Sequence, residues 1–253
     1  DLARLQRVFA KARRGEQITL GVIGGSITEG SLATVPERGY VARVRAWLSE
    51  RFPRSEIRLV NAGISGTGSL YGAFRAQRDL LEARPDLVII EFAVNDASAD
   101  APAYEGLVRQ ILARPNAPAL LLLFMMWEGG GNLQEMQAPI GAHYRLPMVS
   151  FRDALWPEMA VGRLRWQDFL VAAAHPTDGG HAMVRMKDGD TFFIAFADAA
   201  RACRSFDNIK DFGPQFSALL ADLSAWVTER RDRIKSAFLA ARDRDILFMV
   251  MQK

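Results

Sequence analysis

Short apolar runs alternate along the chain with segments whose apolar residues recur at helical spacing. Five runs have the length of a buried strand, at residues 18–24, 57–61, 87–94, 119–126 and 146–150. Strands that are apolar throughout are typical of a parallel sheet covered on both faces. The pattern therefore predicts an α/β protein with a parallel sheet of about five strands, a three-layer α/β/α sandwich.

The segments between these runs carry apolar residues every three or four positions, which predicts helices with one buried face. Such stripes lie at residues 40–48, 70–81, 104–112 and 133–142. They follow the first four predicted strands in turn. Strands and helices therefore alternate, as parallel neighbouring strands require.

The last quarter of the chain departs from this alternation. Residues 187–190 read Lys-Asp-Gly-Asp, typical of a tight turn, and residues 214–241 carry the stripe of a long amphipathic helix. We expect one α/β domain over residues 1–186 and a mainly helical extension over residues 187–253. The extension would pack on the same domain or form a homodimer interface. A membrane-surface role for the basic residues 230–235 is the alternative interpretation.

Composition narrows the partners and the compartment. The net charge is +3, with basic and acidic residues interspersed along 253 residues, so nothing favours a nucleic-acid partner. No apolar run reaches the ~18 residues of a membrane span. The single cysteine, Cys203, excludes an internal disulfide and slightly favours the cytoplasm. Asp1 in place of a methionine keeps a processed, secreted form open.

Four polar or glycine-rich segments stand out beside the predicted strands. They are GGSITEG at 24–30, NAGISGTGS at 61–69, EFAVNDAS at 91–98 and HPTDGGH at 175–181. In open parallel sheets, ligands bind beyond the carboxyl ends of the strands. Ser26, Gly66 and Asn95 follow the first three predicted strands, and His175 lies after the fifth. We therefore expect these four residues to converge on one rim of the sheet.

In this order, the four segments resemble the sequence blocks of the SGNH hydrolases, the GDSL-like esterase and lipase superfamily. The resemblance covers roughly residues 5–185. It implies a flavodoxin-like sheet and a serine esterase that needs no cofactor or metal. Ser26 would be the nucleophile and His175 the general base, because a serine hydroxyl needs a neighbouring base to take its proton.

The resemblance also implies an oxyanion hole, whose donors in acyl transfer contribute about 3–4 kcal/mol each to the transition state. The expected donors are the backbone N–H groups of Ser26 and Gly66 and the side-chain amide of Asn95. A glycine suits such a loop because it lets the backbone approach the substrate closely. Gly63 and Gly68 are near enough in sequence to be alternatives to Gly66.

One position departs from the family pattern. The family carries Asp three residues before the catalytic His, and this chain has Ala172 there. Loss of such a carboxylate can lower the rate by about 10⁴. Three interpretations stay open: a Ser26–His175 dyad, replacement of the acid by Asp168 or Asp178, or an impaired enzyme. A non-catalytic ligand-binding protein on the same fold is the main alternative function.

The first block reads GGSIT and is accompanied by Tyr71, Gly72 and Arg75 and by Pro-Asp-Leu-Val at 85–88. This combination resembles family members that act as acetylesterases on carbohydrates. We therefore expect a small ester or an acylated carbohydrate as the substrate.

Other interpretations of the same segments are weaker. GGSITEG lacks the lysine of a phosphate-binding P-loop, and NAGISGTGS lacks the dinucleotide spacing G-x-G-x-x-G. His175, Asp178 and His181 could hold a metal by their composition, but no further ligand cluster accompanies them.

Overall fold

The computed structural model describes residues 3–162, 165–171 and 174–183. The predicted C-terminal extension, residues 187–253, lies outside the described residues, and so does Ala172.

The centre of the fold is a five-stranded sheet in the order β2-β1-β3-β4-β5, with every neighbouring pair parallel. The strands are β1 (Ile18–Gly24), β2 (Ile57–Gly63), β3 (Leu87–Glu91), β4 (Ala119–Phe124) and β5 (Met148–Ser150). A second sheet consists of two short antiparallel strands, β6 (Leu170–Val171) and β7 (His175–Pro176). The predicted parallel sheet is confirmed.

Helices connect the strands and cover both faces of the sheet. They are α1 (Ala3–Arg13), α2 (Ser26–Glu29), α3 (Tyr40–Arg51), α4 (Ser69–Asp79), α5 (Ala101–Leu112), α6 (Gln134–His143), α7 (Phe151–Ala160), α8 (Trp166–Phe169) and α9 (Asp178–Met183). Single turns of 3₁₀ helix lie at Pro36–Arg38, Leu81–Ala83 and Ser98–Asp100.

Side chains alternate between two apolar layers along each strand. In β1, Leu20 and Val22 belong to one layer, which packs against α1, α3 and α7. Ile23 belongs to the other layer, which packs against α4, α5 and α6. The three-layer sandwich predicted from the sequence is therefore confirmed.

Register brings the carboxyl ends of three strands level with one another. Gly24 of β1 pairs with Gly63 of β2 on one side and with Glu91 of β3 on the other. The loops that leave these strands consequently start side by side, at the rim where the four sequence segments were expected to meet.

The predicted helix over residues 70–81 is present as α4, but its apolar stripe does not mark its buried face. Leu70 and Phe74 are 52% and 81% exposed, whereas Arg75 is 4% exposed and lies under the helix. Among the helices of the described residues, none is long and apolar enough to cross a membrane.

Candidate active site

Ser26 lies where β1 gives way to α2. Gly24 ends the strand, Gly25 precedes the helix, and Ser26 is the first helical residue. The first N–H groups of a helix have no partner inside it, so the Ser26 N–H is available to a ligand. Its carbonyl oxygen accepts hydrogen bonds from the N–H groups of Gly30 at 3.1 Å and Ser31 at 3.0 Å.

The His175 side chain contacts the Ser26 side chain. Ser26 Oγ and His175 Nε2 lie 2.8 Å apart, although 149 positions separate the two residues. His175 is half-buried on β7, whose partner strand pairs Val171 with it. With Nε2 unprotonated, the ring accepts the serine proton. This is the contact that a general base needs with its nucleophile.

Asn95 lies in a tight turn after β3. Its backbone N–H donates to the Phe92 carbonyl at 2.9 Å, and its amide packs against Gly25. A Cβ on Gly25 would lie 2.4 Å from Asn95 Oδ1. Glycine at position 25 is therefore what allows the Asn95 amide to lie beside Ser26.

Gly66 lies in the loop that follows β2. Its φ of +70° is a conformation that favours glycine, and a Cβ there would meet nothing within 4 Å. The carboxylate of Glu29, in α2, accepts hydrogen bonds from the N–H and hydroxyl of the neighbouring Ser65. Glu29 thereby links the Gly66 loop to the helix that carries Ser26.

A buried polar chain lies behind α2. Tyr40 OH and Thr28 Oγ1 are 2.8 Å apart, and Thr28 Oγ1 donates to Glu91 Oε2 at 3.1 Å. Glu91 is fully buried, and this burial raises the pKa of its carboxyl from the usual 4.5 to about 8. The neutral acid is thus favoured at pH 7.

Asp96 connects the Asn95 turn to the start of α4. Its Oδ1 accepts from the Ser69 N–H at 2.6 Å, and its Oδ2 accepts from Gln137 Nε2 at 2.8 Å. Burial raises the pKa of Asp96, and the hydrogen bonds from Ser69 and Gln137 partly offset that effect.

Arg75 lies beneath the site with its guanidinium next to the end of β1. Its Nη2 donates to the Gly24 carbonyl at 3.2 Å, and the Tyr71 ring covers it at 5.8 Å. In the sequence, Arg75 was noted only as part of a family pattern. A charged residue on a helix whose neighbours pack against the sheet is a signal that could have identified it.

Glu91 and Thr28 were missed by the sequence interpretation. Glu91 is the only carboxylate in the apolar run at residues 87–94, which is the signal that could have singled it out. A carboxylate in a fully covered strand must be neutral or paired, so its position alone indicates a buried polar chain.

The Asp178 carboxylate bonds to Thr34 and Arg38 and not to the His175 ring. Its two oxygens accept from the Thr34 N–H at 3.0 Å, from the Thr34 hydroxyl at 2.8 Å and from Arg38 Nη1 at 2.7 Å. Partial burial raises the pKa of Asp178, but these hydrogen bonds outweigh it and lower the pKa to about 2. Asp168 lies in α8, and its side chain is outside the described atoms.

His181 lies inside α9 and is fully buried. Its Nδ1 accepts from the Tyr40 N–H at 3.2 Å, and its Nε2 lies 3.3 Å from the Ser31 carbonyl. Neither nitrogen is free for a metal in this arrangement. Within the described ranges, no group of three or more His, Cys, Asp or Glu side chains could hold a metal ion.

Comparison with known proteins decides the family. A model of the GDSL-like lipase/acylhydrolase family matches residues 22–183, a range that includes Ser26, Gly66, Asn95 and His175. The chain belongs to this family. The resemblance recognised from the four sequence segments is therefore confirmed. A search of curated proteins found no match.

Two solved esterase structures are similar to this chain. A two-domain esterase active on acetylated mannans, co-crystallised with mannopentaose, is 42% identical, with a TM-score of 0.71 over 72% of this chain and 50% of that one. A second structure of a two-domain esterase active on acetylated mannans is 38% identical, with a TM-score of 0.71 over 84% and 54%. This chain thus spans about half the length of those esterases.

A solved structure of lower identity shares the fold. A catalytic mutant of an acetylxylan esterase from Geobacillus stearothermophilus is 22% identical, with a TM-score of 0.55 over 65% of this chain and 89% of that one. At this identity the likeness bears on the fold alone, and the fold agrees with the sheet described above.

Proposed function

We propose that this chain is a serine esterase that removes small acyl groups, acetyl in particular, from carbohydrate. The observation that carries the proposal is the 2.8 Å contact between Ser26 Oγ and His175 Nε2 at the rim of the sheet. This distance is within the range in which an imidazole can take the proton of a serine nucleophile.

Acylation of the serine is the first half of the proposed reaction. Ser26 Oγ attacks the ester carbonyl carbon while His175 Nε2 takes the hydroxyl proton. The oxyanion that forms accepts hydrogen bonds from the N–H groups of Ser26 and Gly66 and from the Asn95 amide. His175 then gives its proton to the sugar oxygen as the carbon–oxygen bond breaks, and the acyl group stays on Ser26.

Water completes the reaction by the same path. His175 takes a proton from a water molecule, whose oxygen attacks the acyl carbon held by Ser26. The second tetrahedral intermediate is stabilised by the same three donors, and its collapse returns the proton to Ser26 Oγ and releases the carboxylic acid. The open conformation of the loop at Gly66, where no neighbour lies within 4 Å of a Cβ, leaves room for the substrate.

Orientation of the His175 ring is a separate part of the proposal. We infer that Ser26 and His175 act as a dyad, because Ala172 occupies the position where the family carries an acid. Asp168 is the candidate replacement for that acid. An Asp168→Asn variant distinguishes the two: a loss of about 10⁴ in kcat would assign the acid to Asp168, and an unchanged kcat would leave the dyad.

Carbohydrate as the substrate rests on the two-domain esterase active on acetylated mannans, which is 42% identical over the part it shares with this chain. The chain corresponds to about half of that protein, so the substrate is inferred for this part alone. An acetyl ester on a sugar hydroxyl is the chemistry common to that esterase and to the sequence pattern around Ser26.

Hydrolysis of p-nitrophenyl acetate by the wild-type chain and by Ser26→Ala tests the reaction. We expect Ser26→Ala to lose at least about 10³ of kcat, because the nucleophile is removed, while the midpoint of thermal unfolding stays nearly unchanged. Ser49→Ala, on the exposed side of α3, is the matched control and should keep full activity.

Two further measurements separate the competing functions. A serine-directed fluorophosphonate should label wild type and fail to label Ser26→Ala, and acetate release from acetylated mannan should exceed release from a non-carbohydrate acetyl ester. Absence of Ser26-dependent hydrolysis and labelling would reject the esterase and favour a ligand-binding protein on the same fold.

A further inference from the structure

His181 joins two elements that are both attached to the nucleophile helix. Its Nδ1 accepts from the Tyr40 N–H at 3.2 Å at the start of α3, and its Nε2 is 3.3 Å from the Ser31 carbonyl just after α2. The ring also lies nearly parallel to the Tyr40 ring, at 16° and 6.4 Å between centroids. It is 0% exposed, so these contacts are shielded from water.

The two bonds require one form of the imidazole. Nδ1 must lack a proton to accept from Tyr40, and Nε2 must carry one to donate to Ser31. The neutral ring satisfies both, and burial lowers the pKa of His181 in the same direction. Among the titratable and charged groups around the ring, Arg43 and the protonated form of His175 disfavour its protonation, and Asp178 favours it.

Both partners of His181 are bonded to α2. The Ser31 N–H donates to the Ser26 carbonyl at 3.0 Å, and the Tyr40 hydroxyl lies 2.8 Å from Thr28 Oγ1. Movement of His181 relative to Ser26 would therefore break its bonds to Tyr40 and Ser31 or the bonds that tie these two residues to α2.

His181 is also linked to His175 through the backbone of the same segment. Its N–H donates to the Thr177 carbonyl at 2.8 Å, and Thr177 follows His175–Pro176 directly. His175 itself lies on a strand pair only two residues long, beside Leu170 and Ala174, which are buried in the main core. The Ser26–His175 distance thus depends on a short arm beside the main sheet, and α9 is one of the buried elements that hold this arm.

We propose that His181 is a positioning residue that sets the His175 imidazole against Ser26 by clamping α9 to the loop after the nucleophile helix and to the start of α3. The proposal rests on the esterase function proposed above. His181 follows His175 in the sequence, whereas the family's triad acid precedes the catalytic His, at the position where this chain has Ala172. Misplacement of a catalytic group by about 1 Å can cost about 100-fold in rate.

Three variants separate positioning from folding. His181→Phe keeps a ring beside Tyr40 and removes both hydrogen bonds. His181→Asn restores an acceptor near Nδ1 for the Tyr40 N–H. His143→Phe is the matched control, because His143 is exposed on α6 and its ring meets the Tyr144 ring edge-on, far along the chain from His175.

Steady-state hydrolysis of p-nitrophenyl acetate is measured for each variant below its unfolding midpoint. We expect His181→Phe to lower kcat by about 10- to 100-fold with little change in KM, since the substrate contacts stay in place. His181→Asn should recover part of the loss, and His143→Phe should match wild type. In a His175→Ala background, His181→Phe should have no further effect, because the ring that it positions is gone.

An activity-independent readout uses the small number of histidines. The chain has three, so their ring signals in an NMR spectrum can be assigned by single substitutions. We expect His181→Phe to shift the His175 ring signals and to leave those of His143 unchanged. Unchanged His175 signals and wild-type kcat in a folded His181→Phe would overturn the inference. An equal loss in the His175→Ala background would also overturn it, since the effect would then be structural.

Failure of the proposed function gives a different result. If the wild-type chain shows no hydrolysis that depends on Ser26, the esterase proposal fails, and the His175 ring signals alone decide whether His181 positions that residue.

Discussion

Ser26, Gly66 and Asn95 lie on loops at the ends of sheet strands, whereas His175 lies on an arm of short elements beside the sheet. We call the first group of loops, residues 25–26, 64–68 and 92–96, the strand-end half, and residues 165–171 and 174–183 the base arm. Backbone pairing of β1 with β2 and β3 fixes where the strand-end half begins. The base arm consists of strands of two residues and helices of four and six.

The two regions also differ in packing. Where the strands meet the strand-end half, a Cβ on Gly24, Gly25 or Gly63 would come within 2.5 Å of a neighbouring segment, which is α2 and β3 for Gly24, the Asn95 turn for Gly25 and α2 for Gly63. The base arm enters the main core through Trp166, Leu170 and Ala174, and the His181 ring and the Asp178 carboxylate bond it to the segment between α2 and α3. The loops of Ser26 and Asn95 are therefore held by the main sheet and by one another, whereas His175 lies on an arm held by a small apolar anchor and two polar side chains.

Gly25→Ala should have the largest effect, because position 25 of the strand-end half has no room for an added Cβ. The new Cβ would lie 2.4 Å from Asn95 Oδ1 and 2.7 Å from Asn95 Nδ2, so the amide must move. We expect kcat/KM to fall by about 100-fold or more through loss of an oxyanion donor. Overpacking should also lower the free energy of unfolding by about 1–3 kcal/mol. Kinetics on p-nitrophenyl acetate and urea unfolding measure the two effects.

Gly106→Ala is the control for that substitution. Gly106 lies within α5, and a Cβ there would meet nothing within 4 Å. The change should leave activity intact and stabilise the helix by up to about 1 kcal/mol. Wild-type kcat/KM in Gly25→Ala would contradict the close packing on which the strand-end half depends.

Glu91→Gln should have an intermediate effect, on stability rather than on rate. The folded-state pKa of Glu91, about 8, lies above its ordinary value of 4.5, so between these pH values the folded chain holds a proton that the unfolded chain releases. In wild type this contribution to stability is complete below about pH 4.5 and is lost as the pH rises through 8. A glutamine at position 91 is neutral at every pH, so the variant does not lose this stability as the pH rises.

Thermal or urea unfolding at several pH values between 5 and 9 tests whether wild type loses stability as the pH rises. The stability of Glu91→Gln relative to wild type should rise by on the order of a few kcal/mol from pH 5 to 8 and then level off. Glu56→Gln, an exposed carboxylate before β2, is the control and should give no such trend. A flat difference for Glu91→Gln would mean that Glu91 is ionised in the folded state.

The strand-end half is also the part that the sequence predicts best. Residues 18–24 are predicted and observed as the same strand, and Ser26 and Asn95 follow their strands as expected. Predicted ends are less reliable where burial continues past the hydrogen-bonded ladder. Met125 and Met126 are 0% exposed but lie beyond the end of β4, because an apolar pattern reports burial and not pairing.

The base arm is less predictable for a physical reason. His175 approaches Ser26 across 149 positions, and no periodicity of apolar residues records such a contact. Its role as the general base was predicted from family resemblance, whereas its place at the rim was expected because it follows the fifth predicted strand. Buried polar partners are hidden in the same way, since nothing near His181 in sequence indicates that its ring would bond to Tyr40 and Ser31. The predicted homodimer, the absence of a nucleic-acid partner and the role of residues 187–253 stay predictions.

Asp178→Asn should have the smallest effect, although Asp178 is a second attachment of the base arm. Its ion pair with Arg38 spans 2.7 Å, but the Arg38 side chain is 56% exposed, so solvent screens the attraction. We expect Asp178→Asn to lose about 1 kcal/mol or less in the free energy of unfolding, and this difference from wild type should narrow at high salt. We expect its kcat to fall only a few-fold.

The pH dependence of this contribution follows from the pKa of Asp178. Since the folded pKa of Asp178 is about 2, below its ordinary 3.8, this stabilisation is present above about pH 4 and is lost as the pH falls through 2. Unfolding of both proteins at pH 7 and pH 3, at low and high salt, measures the gap. A loss in kcat as large as that of His181→Phe would show that the exposed attachment, and not the buried ring, sets the position of the base.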